Sequence, residues 1–510
     1  MAAIFALALG LRLWGIGFGL PELLHPDEPA YVLQALAVGR GLPNGLTFAN
    51  PPLFKYVLLA EYAGTYAGQR LIGQARSPQA FVDAFRADPS LLYGLARVTN
   101  AVLGSLVVLA AGGLATQVAG RRTGVLAAAL CAVAFLLVRD AHFGVDDTLV
   151  TLLVTLGLIP CVRIAQCGSR RAYVAAGACA GLAFAAKYDG IALLAPLLVA
   201  HVLGRGRARN LGFALLAGAI AGVLAFPSLV REPGRVLGDV YEHLYLSAAG
   251  GYDGIDPSGG YPFYARTLVI GLGWPLVALA GVGMGWSLAR HCSSSLVVAT
   301  LPLAMLLVLG SQKLYFARFA LPALPALIVE ASLVLELLLR WRLVIGAAAV
   351  LLVGLPTLVD SARFDELMVR PDTRTLARDW IVSTLPAGST LAVDAPPLGP
   401  TLPDTRQRVL VADDWSLFDL TPADYRARGI DYLVVSSFTA EARAIDPTRE
   451  ARRLTFPTEL AAAASIVAQF RPYAGDLEPP FDYDQIYGPY TNLDRLERPG
   501  PTITVYRLNG

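Results

Sequence analysis

The sequence has little lysine and little charge of either sign. Only three of its 41 Lys and Arg residues are lysines, Lys55, Lys187 and Lys313, and 16% of its 510 residues are charged against 55% hydrophobic. A soluble domain is typically about one quarter charged. None of the five cysteines follows Ser361, so no disulfide framework is predicted. The composition excludes an ordinary soluble enzyme and indicates an integral membrane protein.

The distribution of the arginines indicates how the chain is oriented in the membrane and does not indicate a nucleic-acid partner. They occur in short runs between apolar stretches, and the net charge is only +2. Apolar stretches of the ~17–25 residues that cross a bilayer, some marginally short, predict about eleven helices. They lie near residues 1–20, 91–119, 123–139, 147–163, 172–187, 189–204, 210–229, 263–289, 294–310, 317–339 and 342–359. Residues 1–20 lack a basic start, so we expect a first spanning helix, with a cleaved signal peptide as the alternative.

The positive-inside rule places the arginine-bearing turns in the cytoplasm if Met1 is cytoplasmic. The loops at 21–90 and 230–262, and everything after residue 360, then face outward. We therefore expect a multi-pass protein of the cytoplasmic membrane, with a transmembrane domain over residues 1–360 and an external domain over residues 361–510. In this external domain, alternating patterns predict a small α/β fold with a helix at 373–384 and strands at 390–393, 409–412, 432–436, 466–470 and 503–506.

An acidic loop follows the first apolar stretch, in the order His25, Pro26, Asp27, Glu28. Adjacent carboxylates are costly at the membrane surface unless they are used. Asp27 is a candidate general base, because burial near the bilayer raises the proton affinity of a carboxylate. The alternative is a solvated loop in which Asp27 caps the next helix.

The three lysines and Arg318 lie at the outer ends of apolar stretches, where the positive-inside rule does not place cations. We interpret Lys55, Lys187, Lys313 and Arg318 as phosphate contacts. For Lys187 the alternative is a side chain that reaches lipid phosphate or pairs with Asp189.

A second polar group precedes the stretch at 147–163. It consists of Arg139, His142, Asp146 and Asp147. One aspartate is expected at least to cap the helix. A divalent cation held by Asp27, His142 and Asp146 is possible, although no ligand spacing requires one and no other cofactor is predicted.

Five of these motifs, in order, resemble the GT-C type integral-membrane glycosyltransferases. They are the early Asp-Glu, Pro51-Pro52-Leu53-Phe54-Lys55, the aspartate before residue 148, Gly181-Leu182-Ala183 with Lys187-Tyr188, and Arg318-Phe319-Ala320-Leu321-Pro322. Over about residues 10–330 the chain is most similar to glycosyltransferase family 39, the protein O-mannosyltransferases and their bacterial relatives, with the lipid A aminoarabinose transferases as cousins.

The resemblance implies a polyprenyl-phosphate sugar as donor, inversion at the anomeric carbon, and an active site at the outer membrane face. Asp27 would take the acceptor proton, and Glu28 would position donor or acceptor hydroxyls. The cations would hold the departing phosphate. Supporting roles are expected for His25, Arg139, His142, Asp146, Asp147, Tyr188, His243 and Tyr245.

Three questions stay open at this stage. The acceptor is a protein, a lipid or a glycan. Residues 241–262, which are rich in glycine and tyrosine, form either a mobile lid or an ordinary loop. A secondary transporter, a lipid-sugar flippase or a membrane scaffold would explain the hydropathy without transfer chemistry, but a transporter would place its charges near the bilayer midplane.

Overall fold

The computed structural model describes residues 1–42, 45–256, 259–402, 407–412, 416–475 and 477–509. Parts of the predicted outer loops, at 43–44 and 257–258, and short pieces of the predicted external domain lie outside these ranges. The chain divides into two compact units. The first comprises residues 1–16, 28–249 and 259–362, and the second comprises residues 17–27, 250–258 and 363–510.

In the described ranges the first unit contains helices and connecting loops and no β-strand. Its helices are α1 Ala2–Leu13, α2 Glu28–Gly39, α3 Leu53–Leu71, α4 Pro78–Ala87, α5 Ser90–Ala119, α6 Arg121–Val133, α7 Phe135–Arg139, α8 Asp147–Cys167, α9 Arg170–Ala186, α10 Leu194–Leu203, α11 Ala208–Ala225, α12 Ser228–Arg231, α13 Pro233–Tyr245, α14 Gly260–Leu272, α15 Trp274–Ala289, α16 Ser293–Gly310, α17 Leu324–Trp341 and α18 Leu343–Met368. Short 3₁₀ turns at Asp140–His142, Tyr188–Leu193 and Ala317–Ala323 connect some of them.

Six helices in the described ranges are long and apolar enough to cross a membrane, or eight if two bent pairs are each one span. All eleven predicted apolar stretches contain helix. Two of the predicted spans are broken rather than straight, with bends of 63° after α6 and 109° after α14. Ala134 has an extended backbone at the first break, and Gly273 has a φ of 80° at the second, so neither continues the α-helix.

Glycines let α9 and α11 pack with their backbones in close contact. A Cβ atom at Gly177 would lie 1.9 Å from the Ala214 carbonyl oxygen, and one at Gly181 would lie 2.1 Å from that of Gly218. This is the small-residue packing expected between membrane helices. It fixes the end of α9, directly before Lys187.

The second unit contains a five-stranded sheet in the order β2-β1-β3-β5-β4. The strands are β1 Thr390–Asp394, β2 Arg408–Ala412, β3 Tyr432–Ser436, β4 Ala464–Phe470 and β5 Ile503–Leu508, and the helices are α19 Thr373–Thr384, α20 Pro422–Ala427, α21 Ser437–Glu441 and α22 Pro447–Ala463. Strands β2, β1 and β3 are parallel, whereas β5 is antiparallel to both β3 and β4. The predicted helix and all five predicted strands are confirmed.

The sheet is covered on both faces, as its alternating side chains require. Leu391 and Val393 pack with Ile381 of α19 on one face. Ala392 and Leu433 belong to the core on the other face, which includes residues of α20 and α22. The carboxyl ends of β1 and β3 therefore meet at one edge of a closed core.

Candidate active site

A cluster of opposite charges lies at the start of α8 in the first unit. Asp146 precedes the helix and Asp147 is its first residue. Lys187, the extended residue after α9, donates to Asp147 Oδ1 and lies 3.9 Å from Asp146 Oδ1. Arg318 Nε lies 3.8 Å from Asp147 Oδ2. Four predicted site residues from three distant parts of the sequence thus meet in one place.

Three features stabilise this cluster against the cost of burying charge. The amino terminus of α8 favours the negative charge of Asp147, which is 2% exposed. The Lys187 ammonium lies 4.5 Å from the centre of the Phe319 ring, and the Arg318 guanidinium lies 4.3 Å from that of Phe316. The rings attract the cations and exclude water from them. Both cations are therefore held in place before any ligand binds.

Asp146 differs from Asp147 in its surroundings. It is fully buried, and neither of its carboxylate oxygens makes a hydrogen bond of standard geometry with a described residue. Burial raises the pKa of Asp146 above its usual range, although Lys187 and the nearby Tyr31 hydroxyl oppose the shift. Burial therefore favours the protonated form of the Asp146 carboxyl group.

Lys55 lies in α3 of the same unit, 2% exposed. Its ammonium donates to the backbone carbonyls of Thr47 and Asn50, both at 2.9 Å. Burial lowers the pKa of Lys55 to about 8, against the opposing charges of Asp146 and Asp239. An ammonium has three N–H donors, so two carbonyls leave one for a ligand.

An apolar cavity of about 510 Å³ lies beside the charge cluster. Most of its lining is hydrocarbon from residues between α9 and α10 and from α13 and α16, including Ile191, Leu244 and Met305. Tyr188, which follows Lys187, and Phe319, whose ring faces Lys187, also line it. The cavity is therefore separated from the Lys187 ammonium by the Phe319 ring, and an apolar cavity next to a cation suits a ligand with an anionic head and a long apolar chain.

The remaining predicted residues of this region lie around the cavity. Tyr188 donates to the Phe48 carbonyl at 2.6 Å, and His243 lines the cavity together with Ser247. Burial lowers the pKa of His243, although Asp189 opposes the shift, so the imidazole is neutral near pH 7. Lys313 is exposed and donates to the Ala249 carbonyl at 3.1 Å.

Tyr245 ends α13 and is 55% exposed. The predicted lid at 241–262 is helical to residue 245, and Leu246–Gly250 continues as a wider helical turn. Its residues 257–258 lie outside the described ranges.

Glu28 lies in a buried ion pair that the sequence analysis missed. Arg97 donates to both Glu28 oxygens at 2.7 Å, and the Gly144 N–H donates to Oε1 at 2.8 Å. Glu28 is 0% exposed, so in this geometry it does not face a substrate. We reinterpret it as a positioning residue that ties the start of α2 to the turn before Asp146. An arginine within the long apolar run of α5 was the signal that would have revealed it.

Asp27 ends the first segment of the second unit. Its backbone N–H lies 3.2 Å from His25 Nδ1, and the His25 ring is 5.6 Å from that of Tyr487. The Leu24 carbonyl accepts a hydrogen bond from Arg374 at 3.3 Å. The segment that leads to Asp27 is therefore held by the C-terminal part of the chain, a connection that the sequence did not predict.

Arg139 and His142 have structural partners. Arg139 pairs with Asp140 at 3.1 Å, and both are buried. The two ring nitrogens of His142 lie 2.9 Å from the carbonyl oxygens of Val138 and Trp14. Both ring nitrogens are therefore occupied by backbone oxygens, and a metal contact from His142 would have to replace one of these contacts. No group of three or more His, Cys, Asp or Glu residues in the described ranges is arranged to hold a metal ion.

Known proteins share both the fold and part of the sequence. Residues 95–230 match the model of the dolichyl-phosphate-mannose-protein mannosyltransferase family. No curated protein matches the chain significantly in sequence. Among solved structures, ArnT from Cupriavidus metallidurans bound to undecaprenyl phosphate is 16% identical, with 99% of this chain and 97% of that chain covered and a TM-score of 0.53.

The oligosaccharyltransferase of Archaeoglobus fulgidus in its apo form is 13% identical, with 92% of this chain and 73% of that chain covered and a TM-score of 0.52. Identities this low establish the fold, and the family match adds a sequence relationship over residues 95–230. The predicted resemblance is therefore confirmed: the chain is a multi-pass membrane protein with the fold of the GT-C type glycosyltransferases.

Proposed function

We propose that the protein transfers a sugar, mannose or a related hexose or pentose, from a polyprenyl-phosphate donor to an acceptor hydroxyl. The observation that carries the proposal is an apolar cavity of about 510 Å³ whose lining includes Phe319, the ring that contacts Lys187 of the charge cluster. A polyprenyl-phosphate sugar has the matching chemistry, an anionic head on a long apolar chain. The fold agrees, since ArnT of Cupriavidus metallidurans was crystallised with undecaprenyl phosphate.

In this proposal Lys187 and Arg318 hold the donor phosphate. As the bond from the anomeric carbon to the phosphate oxygen breaks, its electron pair stays on that oxygen and the phosphate gains negative charge. Cations that are already in place stabilise this charge more than the ground state, which accelerates the reaction. Asp147 orients both cations before the donor binds.

Two further groups complete the phosphate site. Lys55 donates its remaining N–H to the donor phosphate, and Lys313 binds the same phosphate from the solvent-exposed side. Asp146, whose pKa is raised by burial, takes up a proton when the phosphate enters, which removes a repulsive charge. This protonation makes the net charge of the cluster more positive.

Asp27 acts as the general base. The acceptor oxygen attacks the anomeric carbon from the side opposite the phosphate, and its proton passes to the Asp27 carboxylate, so the configuration inverts. The support for this role is that Asp27 is covalently bonded to Glu28, whose Cα atom is about 3.8 Å away. Glu28 in turn accepts a hydrogen bond from the N–H of Gly144, two residues before Asp146.

We further propose that the reaction occurs at the outer face of the cytoplasmic membrane. The arginine-bearing turns support a cytoplasmic Met1 under the positive-inside rule. Arg121, in a turn predicted to be cytoplasmic, and Lys313, in a turn predicted to be external, test this. Single cysteines at the two positions, in a background without the five native cysteines, should react with a membrane-impermeant maleimide only in broken cells for residue 121 and also in intact cells for residue 313. Labelling of the residue 121 cysteine in intact cells contradicts the orientation.

Purified protein in lipid nanodiscs tests the function. It should release polyprenyl phosphate from at least one of mannose-, glucose-, arabinose- or aminoarabinose-linked donors when supplied with a protein, lipid or glycan acceptor, and the sugar should appear on that acceptor. A transporter or flippase would move the donor across the bilayer with its sugar still attached. Movement of the intact donor across the membrane of sealed proteoliposomes, with no sugar on the acceptor, is the outcome that contradicts transfer.

A further inference from the structure

Residues 46–50 of the first unit belong to no helix or strand, so their backbone groups need partners from elsewhere in the fold. Asp239 of α13, which is half-buried, accepts the Phe48 N–H at 2.7 Å. Arg235, one turn earlier in the same helix, donates to the Leu46 carbonyl at 3.0 Å. Helix α13 therefore fixes the path of a segment that lies far from it in the sequence.

The same segment supplies acceptors to two residues of the proposed donor site. The carbonyls of Thr47 and Asn50 accept from the Lys55 ammonium, both at 2.9 Å. The Phe48 carbonyl accepts from the hydroxyl of Tyr188, a residue that lines the apolar cavity. An ammonium has three N–H donors in a fixed tetrahedral arrangement, so the two carbonyls decide where the third N–H of Lys55 points.

Asp239 and Lys55 bind opposite sides of one peptide group. The Thr47 carbonyl and the Phe48 N–H belong to the same peptide group, which is planar and trans, so they point in opposite directions. The carboxylate accepts from the N–H at 2.7 Å, and the ammonium donates to the carbonyl at 2.9 Å. Opposite charges at the two ends polarise the peptide group and strengthen both hydrogen bonds.

The surroundings of Phe48 keep water from replacing the Asp239 carboxylate. Phe48 is 0% exposed, and its ring packs in a hydrophobic cluster with the Phe226 ring, 5.5 Å away. An unpaired buried N–H is costly. Loss of the carboxylate therefore favours rotation of this peptide group, which moves the Thr47 carbonyl away from Lys55.

We propose that Asp239 is a positioning residue that, through this peptide group, directs the Lys55 ammonium toward the donor phosphate. The inference rests on the proposed function, in which Lys55 donates to that phosphate. His243 and Leu244, which follow in α13, line the apolar cavity. The helix that contacts the apolar chain of the donor is thus also the helix that orients a cation for its head group.

The test is calorimetric binding to the full-length protein in lipid nanodiscs, with geranylgeranyl phosphate as a short polyprenyl-phosphate probe. The pH is about 6, where the Lys55 ammonium is charged. Asp239→Leu should weaken binding by roughly 5- to 20-fold, whereas Asp239→Asn keeps an acceptor for the Phe48 N–H and should bind within about threefold of the wild type. Glu242→Leu, at an exposed position of α13, is the matched control and should bind like the wild type.

A double-mutant cycle with Lys55→Met separates positioning from a purely structural role. In the Lys55→Met protein, Asp239→Leu should change the affinity for the probe by less than about twofold, because a residue that acts through another adds little once that residue is gone. An equal loss of affinity in both backgrounds overturns the proposal, as does wild-type affinity in Asp239→Leu. Since binding is the readout, a wild type that binds the probe but transfers no sugar refutes the transfer reaction alone.

The ammonium itself gives a readout that needs no ligand. The chain has three lysines, so isotope labelling of lysine at Cε gives three NMR signals, and Lys55→Met assigns one of them. Burial lowers the pKa of Lys55 to about 8, the charges of Asp146 and Asp239 oppose this shift, and the Tyr31 ring lies 5.9 Å from the ammonium. Asp239→Asn removes one opposing charge, so the Lys55 signal should titrate at lower pH. An unchanged midpoint means that Asp239 does not act on Lys55 and overturns the proposal.

Discussion

Replacing either member of the Glu28–Arg97 pair should cost both stability and turnover, whereas replacing both with leucine should restore part of the stability but not the turnover. Arg97 holds both carboxylate oxygens at 2.7 Å, and neither side chain is more than 1% exposed. A single substitution therefore leaves one buried charge without its partner, which costs about 3–5 kcal/mol.

The double variant removes both charges, so that penalty disappears. Two backbone groups still lose their partners, the Gly144 N–H and the Ile16 carbonyl, which accepts from Arg97 at 2.9 Å. Each unpaired group costs about 1–3 kcal/mol. We therefore expect the double variant to be less destabilised than the sum of the singles by about 2–3 kcal/mol, within the usual range of coupling between contacting residues. Turnover should stay low, because the tie between α2 and the Gly144 turn is lost.

The assay is reversible unfolding in mixed micelles followed by fluorescence, with turnover measured on the same preparations. The exposed pair Asp83–Arg86, whose side chains are 56% and 61% exposed, is the matched control and should change stability by less than about 1 kcal/mol. If the destabilisation of the double variant equals the sum of the two singles, the pair has no coupling and the interpretation of Glu28 as a positioning residue is wrong.

Three further outcomes are expected at the donor site. Lys187→Met should weaken donor binding by about 10- to 150-fold, the loss of one charge-assisted contact of ~1.5–3 kcal/mol; unchanged affinity by calorimetry would assign Lys187 to structure alone. Burial lowers the pKa of Lys55 to about 8, so the ammonium that binds phosphate is lost above that pH, and kcat/KM should fall between about pH 7 and 9. The same depressed pKa makes folding more favourable as pH rises through this window, so lost stability cannot cause the fall, and Lys55→Arg should move it to higher pH. Ala304→Trp should raise the donor KM by filling the apolar cavity, while Leu303→Trp, exposed on the same helix, should not. Equal changes in donor KM for the two variants would show that the cavity does not bind the donor.

Much of the fold could be predicted because apolar stretches and the alternation of apolar and polar residues can be recognised within short segments of the sequence. The strands at 390–393 and 432–436 were predicted from alternating patterns of only four and five residues, respectively. The breaks at Ala134 and Gly273 were not, because an apolar run has the same composition whether or not the chain bends within it. Gly273, followed two residues later by Pro275, was the local signal for the larger bend.

Part of the candidate site could likewise be predicted from the sequence, and part of it could not. A shared membrane face was enough to predict that Lys187, Arg318 and Asp147 belong together, since topology limits where outer-end residues can meet. The apolar cavity depends on how α10, α13 and α16 pack, which no local pattern encodes. The ion pair of Glu28 was not predicted because its partner Arg97 lies 69 residues away, and the role expected for Glu28 from the sequence stays a prediction.

The assignment of Asp27 as the base is tested most directly by single-turnover transfer with Asp27→Asn and a saturating donor. The account predicts that donor affinity stays at the wild-type value while the rate of sugar transfer falls by about 10²–10⁴, the usual contribution of a general base. An Asp27→Asn protein that transfers sugar at the wild-type rate contradicts it.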